Sequence, residues 1–111
     1  MNKVVYNRCY GGFGLSRAAT QALADMGVEE AAWYIEEHKR AGLMTFSYGA
    51  RSLPRHDPRL VKVVEDLGRQ VVSADCAELD VYEIDSRLYR IEERDGMGEV
   101  IEGGSEWTIV D

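Results

Sequence analysis

A glycine-rich turn near the N-terminus reads Asn7-Arg8-Cys9-Tyr10-Gly11-Gly12-Phe13-Gly14-Leu15-Ser16. The apolar run Val4-Val5-Tyr6 precedes it and an alanine-rich segment follows it, so the pattern predicts a tight turn from a strand into a helix. Ser16 is a good N-cap for that helix. A glycine turn at a helix N-terminus also has the geometry of an anion site, because unpaired N–H groups and the helix dipole point at one place.

The segments around this turn predict one strand and about three helices. The strand covers residues 3–7, and the helices cover residues 17–26, 29–40 and 58–67. Glycine follows each helix as a stop signal, at Gly27, Gly42 and Gly68. The third helix has the clearest start, with Asp57 as N-cap and Pro58 as the first helical residue.

The last third of the chain changes from a helical period to a period of two. Strands are expected at residues 77–81, 88–93, 99–102 and 107–110, with turns at Asp85-Ser86 and Asp95-Gly96. Residues 43–48 fit either a strand or an extended connection, and residues 49–55 are expected to form a loop. The sequence therefore predicts a single α+β domain over residues 1–111, in which the N-terminal strand and helices pack on a mainly antiparallel meander.

Composition limits the classes of partner. The net charge is −7, which argues against a surface for duplex nucleic acid or an anionic membrane, since both require a basic face. The charge is uneven: residues 1–71 carry ten Lys or Arg against eight Asp or Glu, whereas residues 72–111 carry three against twelve. A small core in a chain of this length is expected to gain stability from self-association.

Targeting and cysteine signals favour a cytoplasmic protein. The first residues lead directly into a strand, without the pattern of a signal peptide, and no apolar run has the length of a membrane span. Cys9 and Cys76 are too few for a disulfide framework or a zinc site and are expected to be free thiols.

No enzymatic constellation is visible, and no cofactor or metal is expected. The turn lacks the Lys-Ser/Thr ending of a P-loop and the spaced glycines of a dinucleotide fingerprint. His38 and His56 have no second ligand at helical spacing and are expected on the surface. Cys9 is expected to be a buried structural residue rather than a nucleophile. Four carboxylates fit solvated strand positions better than acid/base pairs: Glu92, Glu93, Asp95 and Glu99.

Two groups of arginines have open interpretations. Arg51, Arg55 and Arg59 recur every fourth residue and either converge on an anion near the Asp57 cap or solvate a loop. Arg90 and Arg94 lie in a strongly acidic region, an even number of residues apart, so they share one face of a strand. They are expected either to balance Glu92 and Glu93 or to contact an anionic ligand.

Several segments together resemble a family of small proteins found in phages and prophages. The most specific match is the opening motif, residues 4–16. Supporting matches are Arg55-His56-Asp57-Pro58-Arg59-Leu60-Val61, Val63-Val64-Glu65-Asp66-Leu67-Gly68, Ala77-Glu78-Leu79 and Tyr89-Arg90-Ile91-Glu92-Glu93-Arg94-Asp95-Gly96. The resemblance spans nearly the whole chain and leaves residues 25–50 as a variable insert.

In size, layout and phage setting the chain is similar to the anti-Thoeris sponges. These proteins sequester cyclic ADP-ribose signals made by bacterial TIR proteins and thereby silence a defence system. They are not enzymes, and they work as oligomers with pockets near subunit interfaces. The resemblance therefore implies a phage-encoded anti-defence protein in the host cytoplasm that forms a homo-oligomer and binds a small nucleotide without cleaving it.

A nucleotide sponge requires an aromatic platform for a base, arginines for phosphates and backbone donors. We expect these parts between the glycine turn and the late strands, with a second subunit completing the pocket. The candidate residues are Arg8, Tyr10, Gly11, Gly12, Phe13, Arg17, Arg90, Arg94 and Trp107.

Three other classes of function stay open. The acidic C-terminal part could imitate nucleic acid and block a basic host protein. An enzyme acting on a nucleotide would use Cys9 or a carboxylate. The third class is a phage accessory or structural protein without a small ligand.

Overall fold

Four helices and five strands make up the described part of the chain. The computed structural model describes residues 2–9, 12–42, 45–74, 77–85, 87–102 and 108–110. The elements in order are β1 (Asn2–Asn7), α1 (Arg17–Asp25), α2 (Glu29–Ala41), α3 (Pro58–Leu67), α4 (Arg69–Val72), β2 (Leu79–Ile84), β3 (Leu88–Arg94), β4 (Met97–Glu102) and β5 (Thr108–Ile109). The predicted α+β class is confirmed.

The strands form two antiparallel sheets instead of one meander. β1 pairs with β2, in a register that runs from Asn2 opposite Ile84 to Asn7 opposite Leu79. The second sheet has the order β4-β3-β5. The expected meander is therefore wrong at its first step, because β2 pairs with β1 and not with β3.

The burial of the apolar side chains of Val4 and Val5 places β1 inside the molecule. Neighbouring strand residues point to opposite faces, and both valines are fully buried, so β1 is covered on both sides at these two residues. Val5 and Leu79 join the larger core with residues of the helices. Val4 joins the smaller core, which contains Ile84 and Tyr89. The sheet formed by β1 and β2 is thus the middle layer between the helices and the second sheet.

The helix boundaries follow the predicted capping signals. The Ser16 hydroxyl accepts a hydrogen bond from the N–H of Ala19 at 3.2 Å, and the Asp57 carboxylate accepts one from the N–H of Arg59 at 2.8 Å. The helix α4 was not predicted, because four residues cannot show a helical period. Within the described residues, no helix combines the length and apolar character needed to cross a membrane.

The segment between α2 and the 49–55 loop is an extended connection where it is described. Residues 45–47 have no regular secondary structure, and Tyr48 forms a single antiparallel bridge with Leu15. This connection contacts His38 of α2. The side chain of His38 is buried, with 9% exposure, rather than lying on the surface as expected. The Thr45 carbonyl lies 2.6 Å from Nε2 of His38, and a guanidinium nitrogen of Arg17 lies 3.5 Å from Nδ1.

These partners identify the tautomer of His38. A carbonyl oxygen can only accept a hydrogen bond and a guanidinium can only donate one, so Nε2 carries the proton and Nδ1 accepts. The surface prediction for His38 is wrong because neither partner is visible in the sequence spacing. His56 is half-buried, with its Nδ1 2.8 Å from the Tyr89 hydroxyl.

The side-chain amide of Asn7 joins four backbone groups and is 2% exposed. Its Nδ2 donates to the carbonyls of Cys9 at 2.7 Å and Gly96 at 2.8 Å. Its Oδ1 accepts from the N–H groups of Cys9 at 3.3 Å and Glu78 at 2.8 Å. Both donors and both acceptor positions of the amide are used. The end of β1 is thereby tied to the glycine turn, to the entry of β2 and to the β3–β4 turn.

We expect Asn7→Asp to lower the free energy of unfolding by about 2–4 kcal/mol, because a carboxylate cannot donate to the two carbonyls and is costly to bury. Urea unfolding at neutral pH measures the change. The matched control is Gln70→Glu, which makes the same chemical change at an exposed residue and should alter stability by less than about 0.5 kcal/mol. Equal unfolding midpoints for the two variants would contradict the role of the Asn7 amide.

Candidate functional site

Three hydrogen-bond donors just before α1 bind carbonyl groups of the protein itself. The N–H of Leu15 donates to the Tyr48 carbonyl at 2.9 Å, and the N–H of Ser16 donates to the Val72 carbonyl at 2.8 Å. The Ser16 hydroxyl donates to the Val71 carbonyl at 2.6 Å. α4 and Tyr48 thus place carbonyl oxygens on these three donors, so these three are not available to an anion.

Two described glycines of the turn, Gly12 and Gly14, are explained by the backbone conformation and packing of the turn. Gly12 has φ of +92°, in the left-handed region that favours glycine. Gly14 is required by space, because a Cβ there would overlap the Ser47 hydroxyl and come within 3.3 Å of the Cβ of Ala74. Their structural role explains the glycines without a ligand.

Phe13 forms one wall of an open cavity of about 300 Å³, which we call the Phe13 cavity. The other walls are Gly49, Arg51, Arg55 and Glu93. The guanidinium carbon of Arg55 lies 3.5 Å from the centroid of the Phe13 ring, well inside the range of a cation–π contact. This cavity therefore combines an aromatic wall with two guanidinium groups and one carboxylate.

Arg55 is partly withdrawn from solvent. Its side chain is 22% exposed, and its Nη2 lies 3.9 Å from a carboxylate oxygen of Glu93. Burial lowers the pKa of the Arg55 guanidinium, while the nearby Glu93 acts in the opposite direction. An arginine remains charged under such a shift, so a positive charge is held at the wall of the cavity.

The 49–55 loop that carries these arginines is fixed by backbone contacts. The N–H of Val5 donates to the Arg55 carbonyl at 2.8 Å, and the N–H of Leu53 donates to the Ala50 carbonyl at 3.0 Å. Ala50 is fully buried and has φ of +49°, a left-handed conformation that costs an alanine about 1 kcal/mol or more. The loop therefore holds Arg51 and Arg55 on a strained but anchored backbone.

Two further cavities border the same loop. One, of about 170 Å³, is the Trp33 cavity, and its walls are Glu30, Trp33, Tyr34, Tyr48, Gly49, Ala50 and Arg51. The other, of about 300 Å³, is lined by Leu53, Pro54, Arg55, Tyr89 and Ile91. Because Arg51 and Arg55 each belong to two of these three cavities, the loop is the centre of the candidate site.

A larger open cavity of about 660 Å³ lies between α3, α4 and β2. Its arginine, Arg69, forms ion pairs with Glu78 at 3.1 Å and Asp80 at 2.8 Å. The positive charge in this cavity is therefore already neutralised by two carboxylates, which makes it a poorer site for an anion than the Phe13 cavity.

Only Phe13, among the described residues predicted to bind ligand, lines the Phe13 cavity. Gly12 precedes it in the chain. Arg8 forms an ion pair with Asp80 at 3.5 Å. The guanidinium carbon of Arg17 lies 5.3 Å from the centroid of the Phe46 ring, beside His38. Tyr10, Gly11 and Trp107 lie outside the described residues.

Strand parity separates the late arginines from the cavity. Glu93 contributes to the Phe13 cavity, and Arg90 and Arg94 lie on the opposite face of β3 because they are an odd number of residues away. Arg90 forms an ion pair with Glu92 at 2.6 Å on that face. The expected balance of charge is thus made along the strand, and these two arginines are not brought to Phe13.

The arginines that do line the cavity were only partly indicated by the sequence. The recurrence of Arg51, Arg55 and Arg59 was the available signal. Arg59 turns instead to the cap residue, with its Nη2 3.1 Å from Asp57. The role of Glu93 and of Trp33 was missed, because each depends on which face of an element borders the loop.

Catalytic and metal chemistry have little support in the described residues. Glu92 and Glu93 are neighbours on β3, so their carboxylates lie on opposite faces and do not form a pair. Cys9 is a half-buried free cysteine, whereas a buried structural residue was expected. In the part of the chain that the structure describes, no three His, Cys, Asp or Glu side chains are grouped to hold a metal ion.

Comparisons with protein-family models, with curated proteins and with solved structures find no match. Function is therefore inferred from the geometry of the cavities and from the sequence resemblance.

The hydrogen bond between Tyr48 and Glu30, at the Trp33 cavity, makes the stability of the fold depend on pH. The Tyr48 hydroxyl donates to Glu30 at 2.6 Å. This bond, together with the N–H of Ser52, holds the pKa of Glu30 below its ordinary value of 4.5. Burial and Glu30 raise the pKa of Tyr48, so the hydroxyl keeps its proton. A carboxyl with a lowered folded-state pKa stabilises the fold above its unfolded pKa, and this contribution is lost as the pH falls through the folded value.

We expect Tyr48→Phe to cost about 1–2 kcal/mol at neutral pH and progressively less below about pH 4.5, measured by urea unfolding across pH. Tyr34→Phe is the matched control, because its hydroxyl donates at 2.6 Å to the neutral Ser47 carbonyl. The cost of that variant should not change over the same pH range. A cost for Tyr48→Phe that is equally constant would show that the charge of Glu30 does not matter.

Proposed function

We propose that this protein binds a small nucleotide at the Phe13 cavity and sequesters it intact. The observation that carries the proposal is the Arg55 guanidinium, stacked at 3.5 Å on Phe13 and partly buried beside Arg51. Guanidinium groups bind phosphate through paired hydrogen bonds, and partial burial strengthens such contacts. A phosphate-bearing ligand is the class that this arrangement suits best.

The charge distribution of the chain supports the location. A protein of net charge −7 repels anions over much of its surface, so an anionic ligand requires a local positive site. The Phe13 cavity has two arginines against Glu93 alone. This local excess of positive charge favours the 49–55 loop over the acidic strands.

Sequestration is favoured over turnover by the side chains at the cavity. Its polar side chains are two arginines and a glutamate, and the glutamate lies 3.9 Å from Arg55. Such a set binds and orients a phosphate but offers no paired nucleophile and base of the kind that covalent catalysis uses.

The sequence resemblance suggests the ligand and the setting. A phage protein similar to the anti-Thoeris sponges would hold a cyclic ADP-ribose signal and so silence a bacterial defence system. A cavity of about 300 Å³ is at the lower end of the range for ligand pockets. We therefore propose that a second subunit of a homo-oligomer supplies further walls.

Mass spectrometry of retained ligand tests this function. Purified protein is incubated with cyclic ADP-ribose isomers and a panel of cyclic oligonucleotides, washed, and heated to release what it holds. We expect one compound to be recovered intact. Arg51→Ala should reduce its recovery at least tenfold, because the guanidinium contact is lost, and Arg55→Lys should do so because an ammonium cannot replace a stacked, bidentate guanidinium.

Arg40→Ala is the matched control, since Arg40 is 78% exposed at the end of α2 and pairs with Glu37. Its ligand recovery should equal that of the wild type. Recovery of a converted product would make the protein an enzyme. No retained compound, or equal recovery from Arg51→Ala and Arg40→Ala, would overturn the proposed site, and capture of a host protein in its place would favour the acidic inhibitor.

A further inference from the structure

We infer that the Trp33 cavity and the Phe13 cavity are two compartments of one site, in which Trp33 stacks on the base of a nucleotide whose phosphate meets Arg51 and Arg55. The inference rests on the proposed function and deepens it, because it specifies a ligand with an aromatic group at one end and an anionic group at the other.

The two cavities meet at the 49–55 loop. Gly49 and Arg51 line both of them, so the two cavities border the same two residues. Together the compartments have a volume near 470 Å³, within the usual range for small-molecule sites. Arg51 is exposed and lies between them, where it can contact the link between base and phosphate.

The linings of the compartments differ in chemistry. The Trp33 cavity has three aromatic side chains, Trp33, Tyr34 and Tyr48. The Phe13 cavity instead has Arg51, Arg55 and Glu93 beside its single aromatic ring. An aromatic compartment joined to a cationic one matches a base joined to a phosphate.

The side chain of Trp33 contributes little to the core of the fold. Helix α2 buries Ala31, Ile35 and His38, whereas Trp33 is 62% exposed at the rim of the cavity. An exposed indole face is a stacking surface that accepts any base.

The tyrosine wall of the Trp33 cavity is preformed. The Tyr34 ring lies 5.2 Å from the Tyr48 ring and 5.1 Å from the Phe46 ring, and its hydroxyl bonds to the Ser47 carbonyl. A base entering this cavity therefore requires little reordering of the tyrosines.

Glu30 sets the direction of the ligand. Its Oε1 accepts the Tyr48 hydroxyl at 2.6 Å and lies 3.4 Å from the Ser52 nitrogen, so the carboxylate is held at the Trp33 cavity. A negative charge there repels a phosphate. The phosphate end is thus directed past Arg51 to Arg55.

Isothermal titration calorimetry on the full chain tests the two-compartment site with three probes: cyclic ADP-ribose, AMP and ribose 5-phosphate, which lacks a base. We expect Trp33→Ala to weaken binding of the base-containing probes by about 5- to 150-fold and to leave ribose 5-phosphate unchanged. Trp33→Phe should keep most of the affinity, because an aromatic face remains. The matched control is Tyr82→Ala, which removes another exposed aromatic side chain, 43% exposed on β2, and should change nothing.

The outcomes separate this inference from the proposed function. If Arg51→Ala loses the base-containing probes while Trp33→Ala binds them as the wild type does, the phosphate site stands and the base compartment is wrong. If Trp33→Ala weakens ribose 5-phosphate as much as the nucleotides, Trp33 does not recognise a base, and the inference is overturned. If the wild type binds none of the three probes, the two-compartment site is overturned, and the proposed function fails with it only if the mass spectrometry also finds no retained compound.

Discussion

The amide of Asn7 is the constraint on which the rest of the structure depends. A primary amide has two donors and one oxygen that accepts twice, and here these four positions bind backbone groups of three segments, two at Cys9 and one each at Glu78 and Gly96. Three chain reversals meet at this point: the glycine turn, the entry to β2 and the β3–β4 turn. Because buried backbone groups require partners, no single segment can move away without leaving a polar group unsatisfied.

A glycine turn before a helix often both stabilises the fold and binds an anion. In the proposed function these two roles belong to different segments, the start of α1 and the 49–55 loop. Just before α1, the N–H groups of Leu15 and Ser16 stabilise the fold, since the carbonyls of Tyr48 and Val72 accept hydrogen bonds from them. In the proposed function, recognition of an anion is left to side chains, and the 49–55 loop supplies them on a backbone tied to β1. A charge carried by a side chain can be partly buried against an aromatic ring, as Arg55 is against Phe13. A backbone N–H carries no full charge and cannot make this contact. The fold and the proposed site are therefore coupled through the loop and the turn, while using different atoms of each.

Local signals in the sequence were sufficient for the three longer helices and, to within one residue, for their ends, but not for the four-residue helix α4. Ser16 and Asp57 act as caps because the capping interaction involves residues two or three positions away. The partner of β2 could not be predicted, since alternation in residues 77–81 shows a strand but not which strand it pairs with. The burial of His38 depends on Thr45 and Arg17, whose approach is set by tertiary packing. Arg90 and Arg94 were predicted to share a pocket with Phe13, and the structure places them on the other face of β3, because the face that meets the Phe13 cavity is fixed by register and not by charge.

The long sequence separation of the Asn7 contacts affects the order in which the molecule can be completed. The hydrogen bonds of this side chain reach Glu78, 71 residues away, and Gly96, 89 residues away. At a synthesis rate of about 5–20 residues per second, Gly96 is made roughly 4–18 s after Asn7. During that interval the second sheet, which covers Val4, cannot be complete, although all residues of the four helices are made before its end. The first strand to leave the ribosome therefore waits for one of its two covering layers until late in synthesis.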